Sequence, residues 1–567
     1  MVRAAMPLLR RFALRASLTL AASIAAPAAA AIAHADEAAA APTPGEDALP
    51  PPAIDVAPPT SSASLGTTAI VEGSDATKSA SLGTSSDHPA CAGCDRDEGD
   101  AHDDEGEGSV HAGYKAGQFF LRDDEDRFYL IPTGRLQVDT YGFAGPSVSD
   151  YQRSSNGTGL KANLALRRLR VELAGRILHH WYFWLGGDFG GSQPLDATQR
   201  PAPFAAATDA FVGYEACTWF RWQVGQFDVP FTMENVTSDK WLNFMERSLT
   251  VRAAGAPYNK DLGLMIRGEA PSGSVNYAFA LVGGDGQNRP SVDNRGDFMG
   301  RILVRPFSKS KGSIVERAHI GVSGRWGRRD PTYVRYDAPV LSTPGGYNFW
   351  SPTYGVGAAE THVVPSGVQR AIDFELFLPL GRFDLQAEAM LLHEGRREAF
   401  ASSLANTERA GTLTGGAYYV QLAFWPLGEP RLPGEPGKYP DPKIPAPDAE
   451  TKAPRALQLV ARWEQLMLDY DSLARSTAGD GSLVAGVKRG ALDAATSSIR
   501  INAFQFGMTY WATKHVRVTG VYSLYAFPGS QDAPIENEAM APGAKASARN
   551  TDARLLHEFS ARIAIAL

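Results

Sequence analysis

Residues 555–567 read LLHEFSARIAIAL, and this stretch predicts how the whole chain folds. From Phe559 onward every second residue is apolar, whereas Arg562 lies among the positions in between. Successive side chains of a β-strand point to opposite faces, so the stretch predicts a strand with one apolar face and one charged face. A soluble edge strand could show this pattern once. The chain shows it about sixteen times, which predicts a closed transmembrane β-barrel.

The repeated pattern predicts an all-β fold of sixteen antiparallel strands. The connections alternate in length, with very short links at 178–180, 271–273, 379–381 and 512–514. Bacterial barrels have an even strand number, short periplasmic turns and long outer loops, which fits this alternation. Residues 426–455 break it and predict a long proline-rich periplasmic connection, with a linker between two domains as the alternative. The predicted strands are 128–143, 164–177, 181–189, 208–215, 221–228, 261–269, 274–283, 297–305, 316–326, 369–378, 382–393, 415–425, 456–467, 499–511, 515–525 and 555–567.

The sequence divides into three predicted regions. Residues 1–35 have the basic start, the apolar stretch and the Ala-His-Ala cleavage site of a secretory signal peptide. Residues 36–113 are predicted to be a disordered N-terminal leader, because such acidic, Pro- and Ala-rich sequence buries too little apolar surface to fold. Residues 114–567 are the predicted barrel domain.

Charge and hydropathy fit this division. The formal net charge is −7, but the acidic excess lies in the leader, and the barrel part is mildly basic. No run of eighteen apolar residues follows the signal peptide, as expected for strands that carry only alternate apolar residues. We expect outer-membrane lipid as a partner and no nucleic acid.

The cysteines give a weaker signal. Cys91 and Cys94 form a C-x-x-C in the leader. A small disulfide is expected there in an oxidising periplasm, with zinc binding or redox chemistry as the alternatives. Cys217 is predicted to be a lone thiol.

The alternation also assigns charged residues to the barrel interior. A charge on the lipid face costs a few kcal/mol near the midplane. Arg168 and Arg170 are therefore predicted to face the interior, opposite Val171. Parity assigns to the same side Arg267, Arg301, Arg305, Arg325, Arg462, Arg517 and Arg562, together with Asp139, Asp188, Glu269, Asp384, Glu388 and Glu464.

These arginines have two possible roles. A sixteen-stranded barrel is wide enough to hold water, so the guanidinium groups could bind anions and pass them from site to site along a channel. Alternatively, the arginines pair with the interior acids and only brace the wall. The sequence leaves both possibilities open.

Several motifs resemble the phosphate-selective porin O and P family. They are RRLRVEL (167–173), WYF (181–183), DF (188–189), DAFVGY (209–214), VGQFDVPF (224–231), NFMERSL (243–249), DLG (261–263) and LVARW (459–463). The resemblance covers roughly residues 115–567 and is strongest over 164–305. It implies a homotrimer of sixteen-stranded barrels in the outer membrane of a diderm bacterium, with passive uptake of small inorganic anions such as phosphate.

The resemblance also implies that the long third loop, residues 229–260, folds into the barrel and narrows it. The candidate cations of this constriction are Lys240, Arg247, Arg252 and Lys260, and its acids are Glu234, Asp239 and Glu246. A contact between Glu246 and Arg247 that fixes the loop is an alternative to a role in binding solute.

A passive outer-membrane porin with a preference for anions is the leading functional hypothesis. A general or cation-tolerant porin and a plugged structural barrel are alternatives. An outer-membrane enzyme is a further alternative, but no serine–histidine constellation stands out among the eleven histidines. We therefore expect no catalytic residue, cofactor or metal site.

Overall fold

The computed structural model describes part of the chain, all of it within a compact unit that spans Asp87–Leu567. The predicted signal peptide, most of the predicted leader, and Cys91 and Cys94 lie outside the described residues. The described residues are 109–115, 117–144, 162–190, 205–255, 259–330, 338–339, 341–350, 353–354, 361–400, 409–428, 435–439, 441, 455–474, 496–527 and 555–567.

The described residues are mostly strand. None of their helices is long and apolar enough to cross a membrane. The helices are α1 (Met233–Val236) and α2 (Leu249–Ala254). The strands are β1 (Val110–Lys115), β2 (Gln118–Asp123), β3 (Phe128–Ala144), β4 (Asn163–Ile177), β5 (Trp181–Asp188), β6 (Ala206–Cys217), β7 (Phe220–Asp228), β8 (Lys260–Glu269), β9 (Val275–Val282), β10 (Asp297–Val304), β11 (His319–Arg329), β12 (Leu341–Ser342), β13 (Asn348–Trp350), β14 (Thr353–Tyr354), β15 (Thr361–Leu380), β16 (Phe383–Phe400), β17 (Arg409–Leu427), β18 (Ala456–Ala474), β19 (Thr496–Trp511), β20 (Val516–Ala526) and β21 (Leu555–Ala566).

Sixteen of these strands form a closed antiparallel cylinder. Strands β3 to β11 and β15 to β21 each pair with the next in order, and β11 pairs with β15. The last strand then pairs with the first, from His557 opposite Ala144 to Ala566 opposite Arg135. Every barrel strand therefore has two hydrogen-bonded neighbours and no sheet edge meets lipid. The predicted sixteen-stranded antiparallel β-barrel is confirmed.

The two faces of the wall differ as the alternation predicts. Along β4, Leu169, Val171 and Leu173 are 37%, 58% and 38% exposed, whereas Arg168 and Glu172, at the alternate positions, are buried. Exposed aliphatic side chains in such a row suit a surface that faces hydrocarbon. The buried residues Arg168 and Glu172 thus face the interior, whereas a few charged residues elsewhere in the wall, such as the ion-paired Asp469 and Arg500, are partly exposed.

A β-bulge interrupts the alternation near the outer end of β4. Arg168 pairs with Gln137 and Leu166 pairs with Val138, so Arg167 is an extra residue between them. The bulge lets two consecutive arginines reach the interior, where strict parity would send Arg167 to the lipid.

Four strands extend further than the sequence indicates. In the structure they are Thr361–Leu380 (predicted as 369–378), Phe383–Phe400 (382–393), Arg409–Leu427 (415–425) and Ala456–Ala474 (456–467). The added residues lie at the outer ends and include the polar run Glu394–Glu398. Strands that project beyond the hydrocarbon lack an apolar row, so periodicity does not reveal them.

The hairpin of β1 and β2 was not predicted. It pairs with β3 through Leu121 opposite Leu130 and Arg122 opposite Tyr129. The predicted leader boundary at residue 113 lies inside β1, so residues 110–113 belong to a strand. Cys217, at the end of β6, is a free thiol.

The assignment of the lipid face predicts that Val171→Arg impairs membrane insertion. The variant places a charge in the middle of β4, at a cost of roughly 2–4 kcal/mol near the bilayer midplane. Insertion is measured by the heat-modifiable migration of outer-membrane fractions and by urea titration of refolding into vesicles. Ser272→Arg, in an exposed turn, is the control and should insert normally. Equal insertion of both variants would mean that the face is wrongly assigned.

Candidate functional site

The third loop, which joins β7 to β8, lies inside the barrel. Its backbone amides are bound by side chains of the far wall: Thr232 donates to Ser323 Oγ on β11 at 3.0 Å, and Leu249 donates to Glu464 Oε2 on β18 at 2.5 Å. Phe231, Met233 and other loop side chains are buried. The path implied by the family resemblance is thus confirmed.

Each short helix of the loop is capped at its N-terminus by the side chain of the residue that precedes it. Thr232 Oγ1 accepts from the Asn235 amide at 3.1 Å, and Ser248 Oγ accepts from the Val251 amide at 3.2 Å. Thr232 has a φ of 66°, a conformation that costs a β-branched residue about 1–3 kcal/mol. The surrounding hydrogen bonds hold it there.

Glu246 ties the loop to the wall. Its carboxylate contacts three guanidinium groups, those of Arg167 at 3.0 Å, Arg168 at 2.9 Å and Arg562 at 2.8 Å. The alternative contact between Glu246 and Arg247 is therefore wrong. Arg247 instead donates to three loop carbonyls, those of Glu234 and Asn235 at 3.1 Å and of Thr237 at 3.4 Å.

The other two loop acids also bind wall arginines. Asp239 contacts Arg135, Arg168 at 2.8 Å and Arg170 at 3.3 Å. Glu234 contacts Arg462 at 3.1 Å. The loop therefore neutralises part of the arginine wall while being held by it.

The predicted wall arginines differ in their partners. Arg168 and Arg170 contact loop and wall acids; Arg301 contacts Glu375; Arg305 contacts Glu269 and Glu435; Arg325 contacts Glu394; and Arg462 contacts Glu234 and Glu464. Arg267 donates to Gln223 at 3.3 Å and lies over the rings of Tyr182 and Tyr439.

Arg517, like Arg267, has no carboxylate partner among the described residues. It donates to the carbonyls of Asp239 at 3.1 Å and Leu242 at 3.5 Å, and it lies over the Trp511 ring at 5.0 Å. Within the described part of the chain it forms no salt bridge. Its charge is therefore less compensated than that of the paired arginines.

The predicted constriction cations do not act as one group. Lys260 contacts Asp209 and Asp228, each at 2.8 Å, and Lys240 donates to Thr133 Oγ1 at 2.6 Å. Arg252 is turned away toward Ser342 and the carbonyl of Thr343, at 3.4 Å from each. Arg252 does not line the cavity described below, whereas Lys240, Arg247 and Lys260 do.

The described part of the proline-rich connection also enters the barrel. Asp441 contacts Arg176 and Arg221, each at 3.2 Å. Gly437 donates to Thr237 Oγ1 of the third loop at 2.7 Å, and its carbonyl accepts from Arg301 at 2.8 Å. A Cβ at Gly437 would stand 2.5 Å from the guanidinium and its φ is 70°, so this position requires glycine. Sequence reasoning placed this segment in the periplasm and missed its insertion.

A cavity of about 1020 Å³ runs through the interior. Among the described residues, the lining contains thirteen lysines and arginines and nine aspartates and glutamates, an excess of four positive charges. Among the predicted wall arginines, Arg168, Arg170, Arg305 and Arg517 line it. Lys514 lines its short-turn end, where burial lowers the pKa of the ammonium group.

Sequence reasoning missed several lining residues. Arg135 has the same parity as Asp139 on β3, so alternation could have found it. Arg167 was hidden by the bulge, and Lys438 by the absence of periodicity in the connection.

Comparison with known proteins gives one family. The model of the family described as "Phosphate-selective porin O and P" matches residues 138–525. Porin O of Pseudomonas aeruginosa is 23% identical over 358 residues, which is 61% of this chain and 74% of that protein.

Two solved structures are similar at lower identity. The outer membrane channel DcaP of Acinetobacter baumannii is 10% identical with a TM-score of 0.40, and the match covers 81% of this chain and 100% of that one. The anion-selective porin from Comamonas acidovorans is 9% identical with a TM-score of 0.37, covering 78% and 100%. Since the family model matches more than half of the sequence, the chain belongs to the phosphate-selective porin O and P family.

Proposed function

We propose that this outer-membrane porin is a passive channel that prefers small inorganic anions, phosphate among them. The observation that supports the preference is the excess of four positive charges among the described residues that line the cavity. A charge excess inside a narrow, low-dielectric channel raises the local concentration of ions of opposite sign.

The proposal assigns different roles to paired and unpaired bases. Arginines that contact Glu246 and Asp239 mainly fix the third loop. Arg517, Arg317 and Lys438 line the cavity and form no salt bridge within the described ranges, so they are the proposed anion contacts. A ladder of separate, moderately attractive sites allows an anion to enter and also to leave.

Phosphate suits this lining. Guanidinium groups bind phosphate oxygens with two parallel hydrogen bonds, and ammonium groups bind them as point charges. The assembly proposed for the channel is the homotrimer that the family resemblance implies, which native mass spectrometry of the detergent-extracted protein tests. Family membership makes the chain a channel, and we propose transport without catalysis.

Ion-selectivity recordings test the proposal. In planar bilayers with a potassium chloride gradient, the reversal potential should show chloride permeating faster than potassium. Phosphate added at millimolar concentration should reduce the chloride current, because both anions compete for the same bases. A preference for potassium would overturn the anion proposal and leave a general or cation-tolerant porin. An anion preference without phosphate competition would rule out phosphate as a preferred solute and leave the preference for anions standing.

Arg517→Met should lower the chloride-to-potassium permeability ratio. We expect a decrease of about two- to fivefold, which corresponds to about 0.4–1 kcal/mol of lost attraction in a water-filled channel. The measurement is the reversal potential of single channels. Arg382→Met removes an exposed charge that does not line the cavity and is the matched control. An unchanged ratio in Arg517→Met would exclude Arg517 from the anion path.

Glu246→Gln should change selectivity in the opposite direction. Removing this carboxylate leaves Arg167, Arg168 and Arg562 less compensated, so the chloride-to-potassium ratio should rise by about twofold. Weaker anchoring of the loop should also increase current noise. Glu125→Gln, on the exposed surface, is the control and should leave both quantities unchanged. A falling ratio would contradict the proposed loop chemistry.

A further inference from the structure

Three acidic side chains meet on the inner wall near the start of the third loop. Asp373 and Glu375 are two residues apart on β15, and Glu388 on β16 is the cross-strand partner of Glu375. All three are buried, Asp373 with 0% exposure. One carboxylate oxygen of each lies within 4.8 Å of the other two. None of them lines the large cavity.

Two of the carboxylates have strong donors. Glu375 accepts from the Arg301 guanidinium at 2.7 and 2.8 Å. Glu388 accepts from the Tyr419 hydroxyl at 2.7 Å, from the Glu234 amide at 3.2 Å and from the Met233 amide. A carboxylate has about four acceptor positions, and the Arg301 guanidinium occupies two of those of Glu375. Glu388 has three donors, one of which, the Glu234 amide, is shared between both carboxylate oxygens, so Glu388 keeps one position for a further partner.

Asp373 is less well satisfied. Its Oδ2 has a long contact of 3.5 Å with the Ser323 hydroxyl, and its Oδ1 has no hydrogen-bond donor among the described residues. A fully buried carboxylate oxygen without a partner is costly, because its hydration is lost and not replaced. This oxygen indicates a partner that the polypeptide does not supply.

The charge of the cluster indicates which partner. The cluster contacts one guanidinium, that of Arg301, and one imidazole, that of His319, whose Nε2 is 3.6 Å from Glu375 Oε1. With the three carboxylates counted as ionised and the imidazole as uncharged, the sum is −2. A divalent cation would cancel this charge. Calcium binds six to eight oxygens at about 2.3–2.6 Å, so oxygens that share one ion stand up to about 5 Å apart. Magnesium keeps several of its waters, which a site this buried does not favour.

We propose that Asp373, Glu375 and Glu388 bind one calcium ion, with the hydroxyls of Ser323 and Tyr419 as neighbouring neutral oxygens. The sequence did not predict this site. The ion fastens the third loop, since Glu388 accepts from the amides at the start of α1 and Ser323 accepts from the Thr232 amide. The inference depends on the fold and not on the proposed anion preference.

Metal analysis of the full-length protein tests the proposal. The porin is purified from outer membranes in calcium-containing buffer, passed over a chelating resin, unfolded and measured by mass spectrometry for calcium. We expect one tightly held ion per protomer. Asp373→Asn and Glu388→Gln should lose it, because each removes a charged ligand while keeping its shape. Asp384→Asn, a buried acid on the same strand as Glu388, should retain it.

The possible results distinguish the calcium site from lipid-bound calcium and from a site without metal. Calcium in the wild type and in Asp384→Asn, but not in Asp373→Asn and Glu388→Gln, supports the site. Equal calcium in all four proteins means lipid-bound ions and overturns it. A wild type without calcium also overturns it, and then a proton shared among the carboxyl groups explains the cluster. Heat-modifiable migration confirms that each variant is folded. If a variant does not fold, the calcium content of the wild type alone decides whether the site exists.

Discussion

Pairing of the last strand with the first barrel strand is the constraint on which the structure depends. In hydrocarbon no water replaces a missing backbone partner, so the sheet must close. The pairing of β21 with β3 closes it, and the Leu567 amide donates to the Gly134 carbonyl at 3.0 Å at the end of this seam. Closure separates lipid from water, and that separation lets a charged side chain identify the inner face.

Inside the barrel, most of the predicted wall arginines are neutralised by carboxylates. The third loop contributes carboxylates that bind Arg168, Arg170, Arg462 and Arg562 of the wall, so these predicted wall arginines brace the loop through salt bridges. Of the two roles left open by the sequence, the structural one is observed for arginines such as Arg168, and the solute role is the one proposed for Arg517. Selectivity then depends on a small surplus of charge, which single substitutions can alter in either direction.

The sequence predicted what alternation encodes. Arg168 and Arg170 follow a period of two and could be assigned to a face, whereas Arg167 sits in a bulge that leaves no local signal. Contacts such as that of Glu246 with Arg562 join residues 316 positions apart. They depend on strand register and loop path, which periodicity does not contain. The cluster around Asp373 was hidden for the same reason.

The hydrogen bond between Gly437 and Thr237 joins the third loop to a segment that enters from the periplasmic side. The cavity is thus lined by two insertions that contact each other through residues 200 positions apart in sequence. Lengthening or shortening the proline-rich connection would retune the opening while leaving every wall strand intact. Permeability in this architecture can diversify through an accessory segment, with no penalty to the membrane scaffold.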